Sequence, residues 1–282
     1  MYSRERGTDL DIAPLSETVS WVKSMSDVLR EREKPGEIVL SGPDCLRHPD
    51  IENILNLFAD ERRVGISFLG PLTGLSDSDV AYRVASLPTL RSVRLSLFGA
   101  RPETHDRIVG ELGAHGQVIQ AMKQCKRYGV RVILQTIITP ENVGEFPELL
   151  ADLFLYAGNH DFHINLYHPE NSWLPGSSLS WKSTQSERVV VHPRDVFAAF
   201  DQARLDEGLV GLGCGLMIPP CWLPSEWVSL ARWEVHKPNR DRTFSPICGE
   251  CAHRSTCPGI PIPAYTLFGE DCALPVRGKQ GG

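Results

Sequence analysis

Four cysteines in the last quarter of the chain carry its clearest chemistry. Cys221 follows a Pro-Pro pair, and Cys248, Cys251 and Cys257 form a C-x2-C-x5-C run that ends Cys257-Pro258-Gly259. Thiolates two residues apart can chelate one ion or cluster, a third after five residues can return from the turn, and Cys221 supplies a distant fourth. Zinc accepts four thiolates, and so does an iron-sulfur cluster, for which a Cys-Pro step recurs in ferredoxin runs. The remaining cysteines read differently. Cys125 lies on the apolar stripe of a helix as a small buried hydrophobe, Cys214 and Cys272 flank the four, and Cys45 sits in a turn of the N-terminal half.

Whether such thiols are staples or ligands depends on compartment. The start of the chain, Met1-Tyr2-Ser3-Arg4-Glu5-Arg6, has charges and no apolar h-region, so no secretory signal is visible. The longest uncharged stretch, Gly208 to Ser225, is interrupted by three prolines and several glycines, which excludes a spanning helix. These features predict a soluble, cytoplasmic protein with reduced thiols and no membrane partner. A net charge of -6, without clustered Lys and Arg, excludes nucleic acid as the first choice of partner.

With 282 residues and 41% hydrophobic content the chain can bury a full core. Strand-like runs fall at Glu37–Ser41, Arg63–Leu69, Ser92–Phe98, Val130–Ile138 and Asp161–Tyr167. Helical patterns lie around and between them at Leu15–Arg32, Pro49–Asp60, Asp77–Ser86, Gly116–Tyr128 and Asn142–Tyr156, with a further one from Pro193 to Glu207. The fourth places Val118, Ala121, Met122 and Cys125 at i, i+3, i+4 and i+7. Strands separated by single helices predict βα units and a parallel sheet, with any small-molecule site at the carboxyl ends of the strands. From about Gly208 onward Pro, Gly and Cys dominate, a texture that folds with help from a metal. The predicted organisation is a βα unit over 1–207, a Cys-rich metal-binding module over 208–276 and a loose tail over 277–282.

Several stretches together resemble the radical S-adenosylmethionine superfamily, in particular members with a C-terminal SPASM or twitch-like cluster region. Glu37 to Asp44 followed by His48-Pro49-Asp50 is similar to the second-strand motif, a Gly-Gly-Glu-Pro turn and a His-Pro-Asp helix start. Val93 to Ala100 followed by Pro102 to Asp106 resembles the fourth strand and its exit loop, and Thr139-Pro140-Glu141-Asn142 the fifth-strand exit. The cysteine region with Tyr265, Phe268-Gly269-Glu270 and Pro275 resembles the terminal segment. The resemblance implies an α/β fold, a partial (β/α) barrel, and an auxiliary 4Fe-4S cluster on Cys221, Cys248, Cys251 and Cys257, with zinc as the alternative. It implies contacts to S-adenosylmethionine from Asp44 and Ser96, and from Asn142 as a weaker candidate. From the residues alone, Asp44 reads equally as a turn-closing carboxylate and Asn142 as a helix cap.

The family's C-x3-C-x2-C loop, which binds the cluster that cleaves S-adenosylmethionine, is absent: no cysteine precedes Cys45, and the first strand of the barrel has no counterpart. The Gly-Gly-Glu-Pro turn is replaced by Gly42-Pro43-Asp44-Cys45. The resemblance therefore implies peptide or natural-product modification, competent only when a segment carrying the first cluster is supplied. Its implied partners are a peptide or small-molecule substrate and a partner radical S-adenosylmethionine protein. Two alternatives stand beside it: a non-catalytic scaffold, or pseudoenzyme, that binds a peptide or partner enzyme through the barrel, and a zinc-stabilised α/β protein. His105-Asp106 reads as a tether for its loop, and His160, His163 and His168 as loop or core histidines.

Overall fold

The computed structural model describes residues 15–31, 36–41, 44–157, 163–167, 190–203, 213–232 and 242–274. Seven strands form one sheet in chain order: β1 (Glu37–Ser41), β2 (Gly65–Gly70), β3 (Leu90–Ser96), β4 (Val132–Ile137), β5 (His163–Tyr167), β6 (Gly213–Met217) and β7 (Ala231–Arg232). Every pairing is parallel. Parallel neighbours need a crossover connection, and the intervening helices provide it. They are α2 (Ile51–Asn56), α3 (Ser78–Ala85), α4 (Pro102–Val109), α5 (Ala114–Arg127), α6 (Phe146–Ala157), α7 (Pro193–Gln202) and α8 (Ser225–Leu230), with α1 (Leu15–Arg30) ahead of β1. Among the described residues, strands β1 and β7 end the sheet without pairing to one another, so the α/β fold is that of a partial βα barrel.

Alternation along each strand splits the sheet into two unlike faces. Ile38, Ile66, Phe68, Val93, Leu95 and Leu134 point to one side and join Val118, Ala121 and Met122 of α5 in the main core. Full burial of each such Leu, Ile or Phe contributes about 1.5–3 kcal/mol. The other side carries Ser67, Ser92, Arg94, Ser96 and Gln135 in the central strands.

Helix α5 shows how local sequence positions a strand. Its buried stripe of Val118, Ala121, Met122 and Cys125 follows the expected spacing. Gly129 then takes the left-handed region at φ 68°, and the Val130 amide donates to the Cys125 carbonyl at 2.9 Å. This double-bonded helix end turns the chain directly into β4.

Differences from the sequence reading are concentrated in two places. The stretch after β3, expected as a loop, forms helix α4: Pro102 sits in its first turn and Gly110, at φ 79°, ends it. Strands β6 and β7 lie beyond residue 208, so the Cys-rich segment adds two strands to the main sheet before a smaller unit begins at Arg242. That unit pairs β8 (Arg242–Thr243) antiparallel with β9 (Ile260–Pro261) and ends in α9 (Ile262–Phe268). Among the described residues, no helix is long and apolar enough to cross a membrane. His160, His168 and the Gly42-Pro43 turn lie outside the described residues.

Candidate metal centre

Cys221, Cys248, Cys251 and Cys257 line one pocket, together with Phe244 and Arg254 among others. Three pieces of backbone bring them there. Cys221 lies in a single 3-10 turn, Pro220–Trp222, whose Trp222 is wholly buried. Cys248 lies in the 3-10 turn Pro246–Glu250, started by Ser245, whose Oγ accepts from the Ile247 amide. Cys251 ends that turn, and Cys257 follows a compact loop in which its amide donates to the His253 carbonyl at 2.8 Å.

The return from Cys257 depends on Gly259. Its φ is +90°, and a Cβ there would stand 3.1 Å from the Thr243 carbonyl oxygen. A side chain is thus disfavoured by both conformation and space. In this pose the Gly259 amide donates to the Cys257 sulfur at 3.4 Å, and Arg242 Nη1 donates to the Gly259 carbonyl at 2.9 Å. The turn is tied to α9 by Glu270, which accepts from Tyr265 Oη at 2.7 Å and from Ser245 Oγ.

All four sulfurs are free of disulfides. Burial, reinforced by the neighbouring cysteines, pushes the Cys221 thiol up to about 12 and Cys257 to about 11, and burial also raises Cys248. Clustered thiolates this desolvated repel one another, so a bound cation is what would displace their protons. Two arginines work in the same sense: Arg254 favours the Cys248 thiolate and Arg242 that of Cys257. The Arg254 guanidinium also lies over the Phe244 ring, 3.4 Å from its centroid. Sequence reasoning missed these arginines; their only signal was a position inside or beside the cysteine run.

The donor set suits a thiolate-ligated centre. A single zinc ion, with bonds of about 2.3 Å, would draw four sulfurs to about 3.8 Å from one another. Among the described residues, no group of three His, Cys, Asp or Glu side chains is spaced to hold one metal ion. What joins the four thiols is the one pocket that they line. Cys272 does not join them: it is fully buried and its Sγ donates to the Ala264 carbonyl at 3.1 Å. Cys45 is equally inert, with its thiol pushed up to about 12 by burial and by Asp44.

The residues expected to meet S-adenosylmethionine all lie near carboxyl ends of strands. Asp44, shortly after β1, caps the turn Cys45–Arg47: its Oδ1 accepts from the Leu46 amide at 3.1 Å. Its Oδ2 accepts from Thr73 Oγ1 at 2.5 Å and from the Gly74 amide at 3.3 Å. Ser96 closes β3, is buried, and accepts from Gln135 Nε2 at 3.2 Å. Asn142 is wholly buried; its Nδ2 donates to the Phe98 and Ile137 carbonyls at 2.7 and 2.8 Å, and its Oδ1 accepts from the Thr139 amide. His105 lies inside α4, buried, with Nδ1 accepting from the Phe98 amide at 3.0 Å.

No family model matches the chain, and no curated protein matches it. Solved structures with a similar arrangement include Streptococcus suis SuiB bound to precursor peptide SuiA, at 14% identity and a TM-score of 0.45, covering 64% of this chain and 38% of that one. Native anSMEcpe with bound AdoMet matches at 15% identity and a TM-score of 0.47, covering 67% of this chain and 49% of that one. Native anSMEcpe with AdoMet and the Cp18Cys peptide matches at 16% and 0.46, covering 67% and 50%. The chain thus spans half or less of the length of these structures, and none of them assigns it an activity.

Proposed function

We propose that this chain is a radical S-adenosylmethionine-like iron-sulfur protein that acts in peptide or natural-product modification, with an auxiliary 4Fe-4S cluster on Cys221, Cys248, Cys251 and Cys257. The observation that carries the reading is the gathering of these four cysteines, from three pieces of backbone, around one pocket. A thiolate-ligated cluster supplies electron transfer when bound. The chain's own residues hold the sulfurs apart, donate an amide to one of them and place Arg254 and Arg242 against their negative charge. Zinc, which four thiolates satisfy equally well, is the alternative occupant. The resemblance in strand-end motifs supports the S-adenosylmethionine part and implies a segment carrying the C-x3-C-x2-C loop for catalysis. The deciding experiment is anaerobic purification with iron, sulfide and zinc analysis: a brown protein with about four irons and four sulfides per chain is expected. A colourless protein with one zinc overturns the cluster.

A second reading, a non-catalytic scaffold, is favoured by Asp44, whose two carboxylate oxygens are both engaged by the chain itself. Under it the chain binds a peptide or partner enzyme and does not bind S-adenosylmethionine. Calorimetric titration with S-adenosylmethionine separates the two, since tight binding removes the scaffold reading.

A further inference from the structure

On the face of the sheet turned away from the main core, one guanidinium has no partner among the described residues. Arg94 lies on β3 between Ser92 and Ser96, in register with Leu69 of β2 and Ile133 of β4. The polar groups around it are matched among themselves. Ser67 and Ser92 share a hydrogen bond of 2.9 Å, Ser67 also donates to the Glu37 carboxylate, and Gln135 donates to Ser96. Arg94 is left out: it is half-buried, its Nε is completely buried, and among the described residues it has neither a hydrogen-bond partner for that atom nor an ion pair.

A guanidinium keeps its charge at every relevant pH, so it cannot escape desolvation by losing a proton. With Nε buried and unbonded, a partly desolvated cation in this place is less favourable than one in water, and an anion that reaches it offsets the difference. Its planar fork of donors matches a carboxylate held by two parallel bonds. The flanking register positions, Leu69 and Ile133, are apolar, so Arg94 is a lone cation suited to a single negative charge. Glu37, on the same face, would repel a polyanion. Farther across the sheet, Gly213 and Gly215 stand in register with His163 and Asn165.

We propose that Arg94 docks a carboxylate of the ligand held on this face, in the form of an acidic side chain of a peptide. The proposal deepens the peptide-modification reading and rests on it for the class of ligand. It does not depend on which metal the cysteines hold.

The test uses the full chain, Arg94→Met and Arg94→Lys, with metal and sulfide content measured in each preparation. Without ligand, Arg94→Met melts at or above the unaltered protein, because it removes an unpaired cation. A clear drop in Tm would show that the chain itself pairs Arg94, and would overturn the proposal. The probes are the capped tripeptide acetyl-Ala-Glu-Ala-amide, its Gln counterpart and S-adenosylmethionine. The Glu peptide is expected to raise Tm with dose, the Gln peptide to do so about 10- to 100-fold less effectively, and Arg94→Met to abolish the difference. Arg94→Lys, which keeps the charge and loses the fork, falls between. No response to the Glu peptide, equal response to both peptides, or a response that survives in Arg94→Met overturns it. So does an Arg94-dependent response to S-adenosylmethionine alone, which would assign the carboxylate to the cofactor. Loss of metal with an intact Glu-specific response would sink the cluster reading and leave Arg94 standing.

Discussion

The indole Nε1 of Trp222 donates to the backbone carbonyl of Cys272 at 2.7 Å, joining two segments 50 residues apart inside the core. Trp222 immediately follows Cys221, so this bond fixes the one cysteine that comes from outside the C-x2-C-x5-C run. Trp222→Phe keeps most of the ring and leaves a buried carbonyl unpaired, an expected loss of about 1–3 kcal/mol. Urea denaturation checks the stability. Metal content of the same variant should fall, because the turn holding Cys221 loses its anchor.

Cys251 separates ligand from packing cysteines. Cys251→Ala should empty the metal site and unfold the two-stranded unit while leaving the βα core, because thiolate coordination is that unit's main stabiliser. Cys125→Ala, by contrast, should leave metal content unchanged and cost about 1 kcal/mol, as loss of a small buried group on α5 does. Metal analysis with limited proteolysis distinguishes the outcomes. Loss of the whole circular-dichroism signal in Cys251→Ala would show that the two regions fold as one.

Asp44 is where the two functional readings part. Replacing it with Ala removes the cap of the turn Cys45–Arg47 and orphans donors at Thr73 and Gly74. If its role is this brace, stability falls by about 1–3 kcal/mol. A variant that keeps its melting temperature and loses S-adenosylmethionine binding would instead make Asp44 a ligand contact.

What the sequence made legible follows from the range of each interaction. Strand β1 and the stripe of α5 depend on local alternation and periodicity, and both fall where those patterns put them. Helix α4 was hidden because its polar face and short length, Pro102 to Val109, look like a charged loop until Phe98 and His105 are seen together. Strand β6, Gly-Cys-Gly-Leu-Met, has too much glycine to read as a strand and is defined by its pairing with β5. The three cysteines of the run were visible by spacing and Cys221 was expected as a distant fourth, whereas the placing of Arg254 and Arg242 beside their sulfurs depends on how the turns fold. Asp44 and Asn142 were visible as polar residues at strand exits, yet their partners at Thr73 and Phe98 lie far along the chain.

Asn142 spends both its amide protons on carbonyls of two neighbouring strand ends, those of β3 and β4. Asn142→Asp is nearly isosteric but sets a carboxylate against two carbonyl oxygens, so it must protonate or move. It should therefore destabilise by about 3 kcal/mol or more near neutral pH and recover part of that loss in acid. Asn142→Ala should lose a similar amount without any recovery in acid. Equal pH profiles for the two variants would contradict the donor assignment.

Buried His105 predicts an acid limit to stability. Burial, together with His115, holds its pKa down to about 4. The unfolded chain binds the proton near 6.5, so between 6.5 and 4 unfolding takes up a proton and stability falls as pH falls. The contribution is fully present above 6.5 and mostly lost by about 4, a change of roughly 3 kcal/mol. Glu61 acts lower. It accepts amides from Arg62, Arg63 and Val64 and pairs with Arg30, bonds that outweigh its burial and bring its pKa to about 2. Its contribution is present above about 4.3 and disappears toward 2. Denaturation at a series of pH values should show two successive losses. His105→Asn, which keeps an acceptor for the Phe98 amide, should flatten only the first, and an unchanged slope above pH 4 in that variant would assign the proton elsewhere.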